Sequence, residues 1–275
     1  MTEATFPPAN FPVNFPANFQ EGQVPGGGSQ LRYREAGAGE PVVILEGVTW
    51  GLWPLHQALA QRYRVIALDL PGFGGSPANH AARSSQDLAG AAAQAVTQLV
   101  PGGYTLIGTS FSANVALWLA LQQPGSVDAL LLISPTALRP TGVVIGASPE
   151  QRAAQLLAHP ENGANLPPLD SATFAREQAL VQQLGGNVND ADAEARLGEI
   201  ACPTLVVFGS RDRLVAPAAG SLYRASIPTC NLSLVYDTGH LIAAERPQAL
   251  LNAVADYVEN RETFIVGRAS GVINP

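Results

Sequence analysis

Short apolar runs recur along this chain with helix-like segments between them, and that alternation constrains the fold more than any other feature. Val42–Leu45, Val65–Leu68, Tyr104–Ile107, Val127–Ile133, Thr204–Phe208 and Leu232–Val235 are each short and largely apolar, as strands buried on both faces are. Leu31–Glu35 alternates instead, as a half-exposed strand does. Helical patterns fill the gaps: Leu52–Arg62, Ser85–Leu99, a segment ending at Gln123, Pro217–Ala225 and Pro247–Glu259. Strands that alternate with helices predict an α/β protein with a mainly parallel central sheet and helices on both faces.

Two stretches break this rhythm. From Pro135 to about Glu199 the pattern is helical in pieces (Pro149–Ala158, Ser171–Leu184, Ala191–Leu197) with no convincing strand. Residues 135–199 therefore read as a helical cap inserted over the C-terminal edge of the sheet, where ligands collect in such folds. The core is then 29–134 together with 200–262, followed by a tail at 263–275. Residues 1–28 read as a low-complexity, flexible leader: Asn10-Phe11-Pro12, Asn14-Phe15-Pro16 and Asn18-Phe19 recur every four residues, and Gly26-Gly27-Gly28 closes the run. The rival reading docks Phe11, Phe15 and Phe19 on the body or on a second subunit, which leaves a homodimer open.

Chemistry concentrates at the end of the run that begins at Tyr104. Gly108-Thr109-Ser110-Phe111-Ser112 lies between an apolar strand and a small-residue helix start, the setting of a nucleophile elbow. The turn is strained, so its flanks need small residues. Gly108 meets that need, and Ser112 stands where Gly is usual, at some cost in crowding. Asp212 follows the strand ending at Phe208, and His240 follows the strand ending at Val235. A serine hydroxyl needs an adjacent base, and that base needs a group to fix its tautomer. Ser110, Asp212 and His240, each just past a strand, supply nucleophile, orienting acid and base. His56, His80 and His159 do not follow strands, and four scattered histidines argue against a metal site.

Composition narrows the alternatives. The 275 residues carry a net charge of −7 with no basic cluster, which argues against nucleic acid and anionic membranes as partners. All 15 basic residues are Arg, so Schiff-base and Walker-type phosphate chemistry, which need Lys, are excluded. Cys202 and Cys230 form no Cys-x-x-Cys pair, no span is long and apolar enough for a bilayer, and no signal peptide opens the chain. A cytoplasmic address with both thiols reduced is expected.

The elbow, the placements of Asp212 and His240 and the loop Asp69-Leu70-Pro71-Gly72-Phe73-Gly74-Gly75-Ser76 resemble the capped branch of the α/β-hydrolase superfamily over roughly residues 30–260. The resemblance implies the α/β-hydrolase fold, a small-molecule substrate and no cofactor. Dehalogenases and epoxide hydrolases of that fold use Asp at the elbow, so Ser110 argues against both. By the same resemblance, backbone N–H groups of Val48 and Phe111 form the oxyanion hole. One departure stands out. The family usually has His-Gly where this chain has Glu46-Gly47. Glu46 is expected to take a structural role, turned from Ser110 onto an Arg, a hydroxyl or backbone N–H groups; the sharper alternative has it touching the substrate or a catalytic water.

Glu46, Trp50, Trp53, Val144, Val215 and Leu241, with Leu138, Val143 and Ile145 from the cap, are the pocket candidates, most of them apolar. The expected function is a serine hydrolase that forms an acyl-enzyme on a small, largely apolar ester or related acyl substrate. The alternatives are a carbon–carbon hydrolase of ring-cleavage type and a ligand-binding protein that kept the fold with little turnover. Only Glu46 and Ser112 speak for the last.

Overall fold

A computed structural model of the chain describes residues 18–48, 53–146, 148–166, 170–260 and 272–274. Among these, the strands are β1 (Gln20–Gly26), β2 (Ser29–Ala36), β3 (Pro41–Glu46), β4 (Arg64–Asp69), β5 (Tyr104–Thr109), β6 (Val127–Ile133), β7 (Thr204–Gly209), β8 (Cys230–Val235) and β9 (Val272–Asn274). They form one sheet in the order β1-β2-β4-β3-β5-β6-β7-β8-β9. β2 pairs antiparallel with both β1 and β4, and every other pairing is parallel. Because β3 lies between β4 and β5, the strand order reverses there, and the loops leaving β3 and β5 open onto the crevice where such sheets bind ligands.

The helices are α1 (Trp53–Leu59), α2 (Ser85–Leu99), α3 (Phe111–Gln122), α4 (Pro149–Leu156), α5 (Ser171–Gln183), α6 (Ala191–Arg196), α7 (Gly220–Ser226), α8 (Ile242–Glu245) and α9 (Pro247–Asn260). Two apolar cores flank the sheet. α2, α3 and α7 pack on one face, through Leu88, Val96, Leu117 and Tyr223; α1 and α9 pack on the other, through Leu55, Leu59, Val254 and Tyr257. Every residue of α3 from Phe111 to Leu121 is buried. A helix apolar all round can be stable only when enclosed, and α2 together with the segment between β6 and β7 encloses it. No described helix is long and apolar enough to cross a membrane.

The expected strands appear within a residue or two of their predicted limits, and the fold class is the α/β arrangement the alternation implies. The leader expected over residues 1–28 is corrected over its last part. Gln20–Gly26 pairs residue by residue with Ser29–Glu35, and Gly27 and Gly28, both at positive φ, make the turn between them. Only Val24 and Gly26 of β1 are buried, so its sequence lacks the apolar run that marks the central strands. Phe19 packs against the body, its ring edge-on to His56 with centroids 6.4 Å apart. Phe11 and Phe15 lie outside the described residues. At the far edge, β9 adds three residues of the expected tail to β8. β7 and β8 are neighbours, with Thr204 opposite Cys230, and Cys202 and Cys230 are both free thiols.

Candidate active site

The turn from β5 into α3 is the sharpest in the core. Ser110 has φ 55° and ψ −121°, a conformation costly for a residue with a side chain, and its N–H donates to Ile133 O at 2.8 Å. A Cβ on Gly108 would lie 2.5 Å from Ser112 O and 2.6 Å from Ala113 Cα, so only glycine admits the helix start this close to the strand. Ser112 fits without the expected crowding: its hydroxyl accepts from Thr109 N–H and donates to Thr109 O, both at 3.0 Å.

Asp212 and His240 meet Ser110 from the neighbouring strand ends. His240 Nε2 lies 2.9 Å from Ser110 Oγ, and His240 Nδ1 lies 2.8 Å from Asp212 Oδ2. The other carboxylate oxygen, Asp212 Oδ1, accepts from the N–H groups of Leu214 (2.8 Å) and Val215 (3.0 Å). An ionised carboxylate only accepts, so the imidazole proton sits on Nδ1 and Nε2 is left to accept the serine proton. All three side chains are buried. Two groups that the sequence gave no sign of hold the His240 loop. Ser134, itself at φ 45°, donates its hydroxyl to His240 O at 2.9 Å. Glu245 accepts from the N–H groups of Gly239 (2.7 Å), Ala158 (3.0 Å) and His159 (2.9 Å), tying the loop to the end of α4.

The cleft over Ser110 is lined by Val48 and Phe111, by the 140–145 strip including Val143, Val144 and Ile145, and by Leu214. Val48 and Phe111 thus border Ser110, and neither N–H meets an acceptor among the described residues. Pro140, Gly142 and Leu214 were not foreseen, and neither was the rest of the lining: Thr136, Gln178, Val181, Gln182, Gly186 and Asn187. The four-residue step from Gln178 to Gln182 puts both on one face of α5, a signal the sequence did carry. A Cβ on Gly186 would lie 2.5 Å from Phe111 Cδ2, so the turn after α5 presses directly on the residue beside Ser110.

Several pocket candidates are corrected. Val215 and Leu241 are buried in the core and line no part of the cleft; Val215 serves Asp212 through its N–H, and the Leu241 N–H donates to Leu156 O at 3.1 Å. Leu138 is likewise core. Proximity in sequence to a site residue does not set the direction of a side chain. Trp50 lies outside the described residues, as does the side chain of Trp53, which opens α1.

Glu46 also stays out of the cleft. Its Oε1 lies 2.6 Å from Nε2 of the fully buried His56. The carboxylate is turned away and paired, as expected of a structural role, but its partner is a histidine on α1 and not an Arg, a hydroxyl or the backbone. Next to it, Asp69 ends β4 and binds Arg32 Nε (2.6 Å), Arg34 Nη1 (3.3 Å) and the Gly75 N–H (2.8 Å). Burial raises the Asp69 pKa, against the pull of both arginines. The loop it anchors receives α5, where the Glu177 carboxylate accepts from Gly74 N–H at 3.0 Å.

Residues 25–254 match the Alpha/beta hydrolase family. The pimeloyl-(acyl-carrier protein) methyl ester esterase of Chromobacterium violaceum is 27% identical over 257 residues, which are 82% of this chain and 96% of that protein. A 2-hydroxy-6-oxononadienedioate/2-hydroxy-6-oxononatrienedioate hydrolase of Pseudomonas putida is 27% identical over 263 residues, 84% of this chain and 92% of that one. Among solved structures, a thermophilic esterase from Thermogutta terrifontis superposes with a TM-score of 0.74 at 22% identity, covering 89% of this chain and all of its own (100%).

Proposed function

The chain belongs to the alpha/beta hydrolase family and is a hydrolase, and from that premise we propose that it works as a serine hydrolase through an acyl-enzyme on Ser110. The observation that carries this reading is the unbroken chain of contacts from Ser110 Oγ through the His240 ring to Asp212, at 2.9 and 2.8 Å. In the first half-reaction Ser110 Oγ attacks the acyl carbonyl while His240 Nε2 takes its proton. Asp212 stabilises the imidazolium without taking the proton itself. The carbonyl oxygen becomes an oxyanion held by the N–H groups of Val48 and Phe111, and the start of α3 adds its positive end. His240 then protonates the leaving alcohol. In the second half-reaction it deprotonates a water that attacks the acyl carbonyl, and Ser110 leaves with the proton returned.

The segment 135–199 acts as a cap in this reading. Its α4 end is bound to the His240 loop through Glu245, and its α5–α6 turn rests on Phe111, so it can exclude water from the nucleophile. The two residues that favoured a binding protein without turnover lose that meaning: Glu46 faces His56, and Ser112 is tied to Thr109.

The test is turnover of p-nitrophenyl acetate by the wild type and by Ser110→Ala. A loss in kcat on the order of 10⁶ is expected when the triad acts as a unit. Equal turnover by the variant would put the chemistry elsewhere.

A further inference from the structure

We propose that Gln178 is a specificity-determining residue, its amide receiving a neutral hydrogen-bonding group on the acyl part of the substrate, in a cleft that rejects an acyl chain ending in carboxylate. This rests on the serine-hydrolase reading and adds the substrate class to it.

Three observations converge. First, none of the described residues lining the cleft carries a formal charge; its polar members beyond Ser110 are Thr136, Gln178, Gln182 and Asn187. The chain has no Lys; Arg176 on α5 lies exposed beside Glu177 at 3.8 Å and does not line the cleft, and other arginines nearby are engaged elsewhere. Arg139 binds Glu194 at 3.0 Å, Arg213 binds Ala154 O at 2.9 Å, and Arg152 lies over the Phe174 ring at 4.8 Å. A carboxylate entering this cleft would give up hydration with no cation to replace it.

Second, Gln178 is only 9% exposed, yet its amide makes no hydrogen bond to any described residue. Its polar atoms are not sealed off from solvent, so the amide opens on the cleft and can exchange water for a substrate group. Thr136 differs, because its hydroxyl already accepts from Asn114 Nδ2 at 2.9 Å. Third, Gln178 is held in place. On either side of it in α5, Phe174 and Val181 are buried, and Glu177 binds Gly74 N–H at 3.0 Å. A recognition group held this rigidly can discriminate. An amide offers both a donor and an acceptor, so it suits a carbonyl, hydroxyl or amide on the substrate; an anion would use only the donor half.

The experiment compares kcat/KM for three p-nitrophenyl esters, of hexanoic acid, of adipic acid monoamide and of adipic acid, with the wild type, Gln178→Leu and Gln178→Arg. The wild type should prefer the amide-ended to the carboxylate-ended chain by about 100-fold. Gln178→Leu should lower the amide-to-methyl ratio on the order of tenfold, and Gln178→Arg should raise the carboxylate-to-methyl ratio by a similar factor. Equal turnover of the two polar esters by the wild type would overturn the proposal, and so would an unchanged amide-to-methyl ratio in Gln178→Leu. If Gln178→Arg does not fold, the wild-type series and the Leu variant still decide. A fluorophosphonate probe run on the same preparations separates the two levels. Labelling of Ser110 without the selectivity sinks the specificity inference alone; no labelling of the wild type sinks the hydrolase reading with it.

Discussion

Replacing Glu46 by Gln asks whether the residue that stands in the family's His position supports the site or takes part in it. The Glu46 carboxylate lies 2.6 Å from His56 Nε2; the imidazole is fully buried, and the Glu46 side chain retains 11% exposure. A hydrogen bond to a charged group is worth about 1.5–3 kcal/mol and a neutral one about 0.5–1.5 kcal/mol. Glu46→Gln keeps the shape and exchanges the first for the second, so it should cost about 1–2 kcal/mol. In a chain of this size that lowers Tm by roughly 2–8 °C. His56→Leu is harsher, because it strands the carboxylate; breaking such a pair costs about 3–5 kcal/mol, and the residual exposure favours the lower end. Glu46→Leu combined with His56→Leu should recover much of that loss, since no charge is then left unpaired. Urea denaturation of the four proteins reads these differences, and p-nitrophenyl acetate turnover reads the consequence for chemistry. For Glu46→Gln, kcat should fall by less than about tenfold. A Glu46→Gln protein that folds and binds normally but loses the ~10²–10⁴ expected of a general base would refute the structural role.

Other perturbations probe the surroundings. Asp212→Asn should lower kcat by about 10⁴ with little change in fold, because the imidazole loses its tautomer control; steady-state kinetics and a circular dichroism spectrum check both halves. Gly186→Ala places a methyl against Phe111 and Val181 and should destabilise by about 1–3 kcal/mol while raising KM for esters. Glu245→Ala strips the acceptor from three N–H groups and should cost at least about 1.5–3 kcal/mol in urea denaturation, with a fall in kcat as the His240 loop loosens. His159 lies 3.0 Å from Asp237, and that hydrogen bond raises its pKa above the ordinary 6.5. The stabilisation is therefore fully present below about pH 6.5 and fades as pH rises through the higher folded value, so the fall of Tm across that window should be steeper in the wild type than in His159→Gln. Burial pushes the thiols up, Cys202 to about 11 and Cys230 to about 12. Both should react slowly with a disulfide reagent at pH 8 and fully in urea; rapid reaction of the buried Cys202 in the native protein would contradict this, while the half-buried Cys230 should be the faster of the two.

What the sequence made legible was whatever depends on local pattern. Val42–Leu45, Val65–Leu68 and Thr204–Phe208 are buried on both faces, and continuous apolar runs announce that. The elbow was legible because its strain demands Gly108, and the order Ser110, Asp212, His240 because each follows a strand that could be located. β1 was not, since an edge strand that buries little beyond Val24 has no apolar run to show and inherits the look of the leader before it. Nor was the pairing of Glu46 with His56: the two come together only when α1 folds back on the sheet, and an amphipathic helix gives no hint of which side chain meets a strand end. The polar lining failed for the same reason. Gln178 and Asn187 belong to the cleft because α5 docks on the loop after β4 through Glu177 and Gly74, a contact between residues 103 apart in sequence. Pocket candidates chosen by nearness to Asp212 and His240, such as Val215 and Leu241, lie instead in the core, where their N–H groups donate to Asp212 Oδ1 and Leu156 O.

The central claim is that Ser110 is the nucleophile, and covalent labelling tests it most directly. Treated with a fluorophosphonate probe and examined by intact and peptide mass spectrometry, the wild type should gain one adduct per chain, on the peptide carrying Ser110. Ser110→Ala should gain none, and His240→Ala should be labelled far more slowly, because the hydroxyl has lost its base. A wild type that remains unlabelled, or an adduct that persists in Ser110→Ala, would contradict the account.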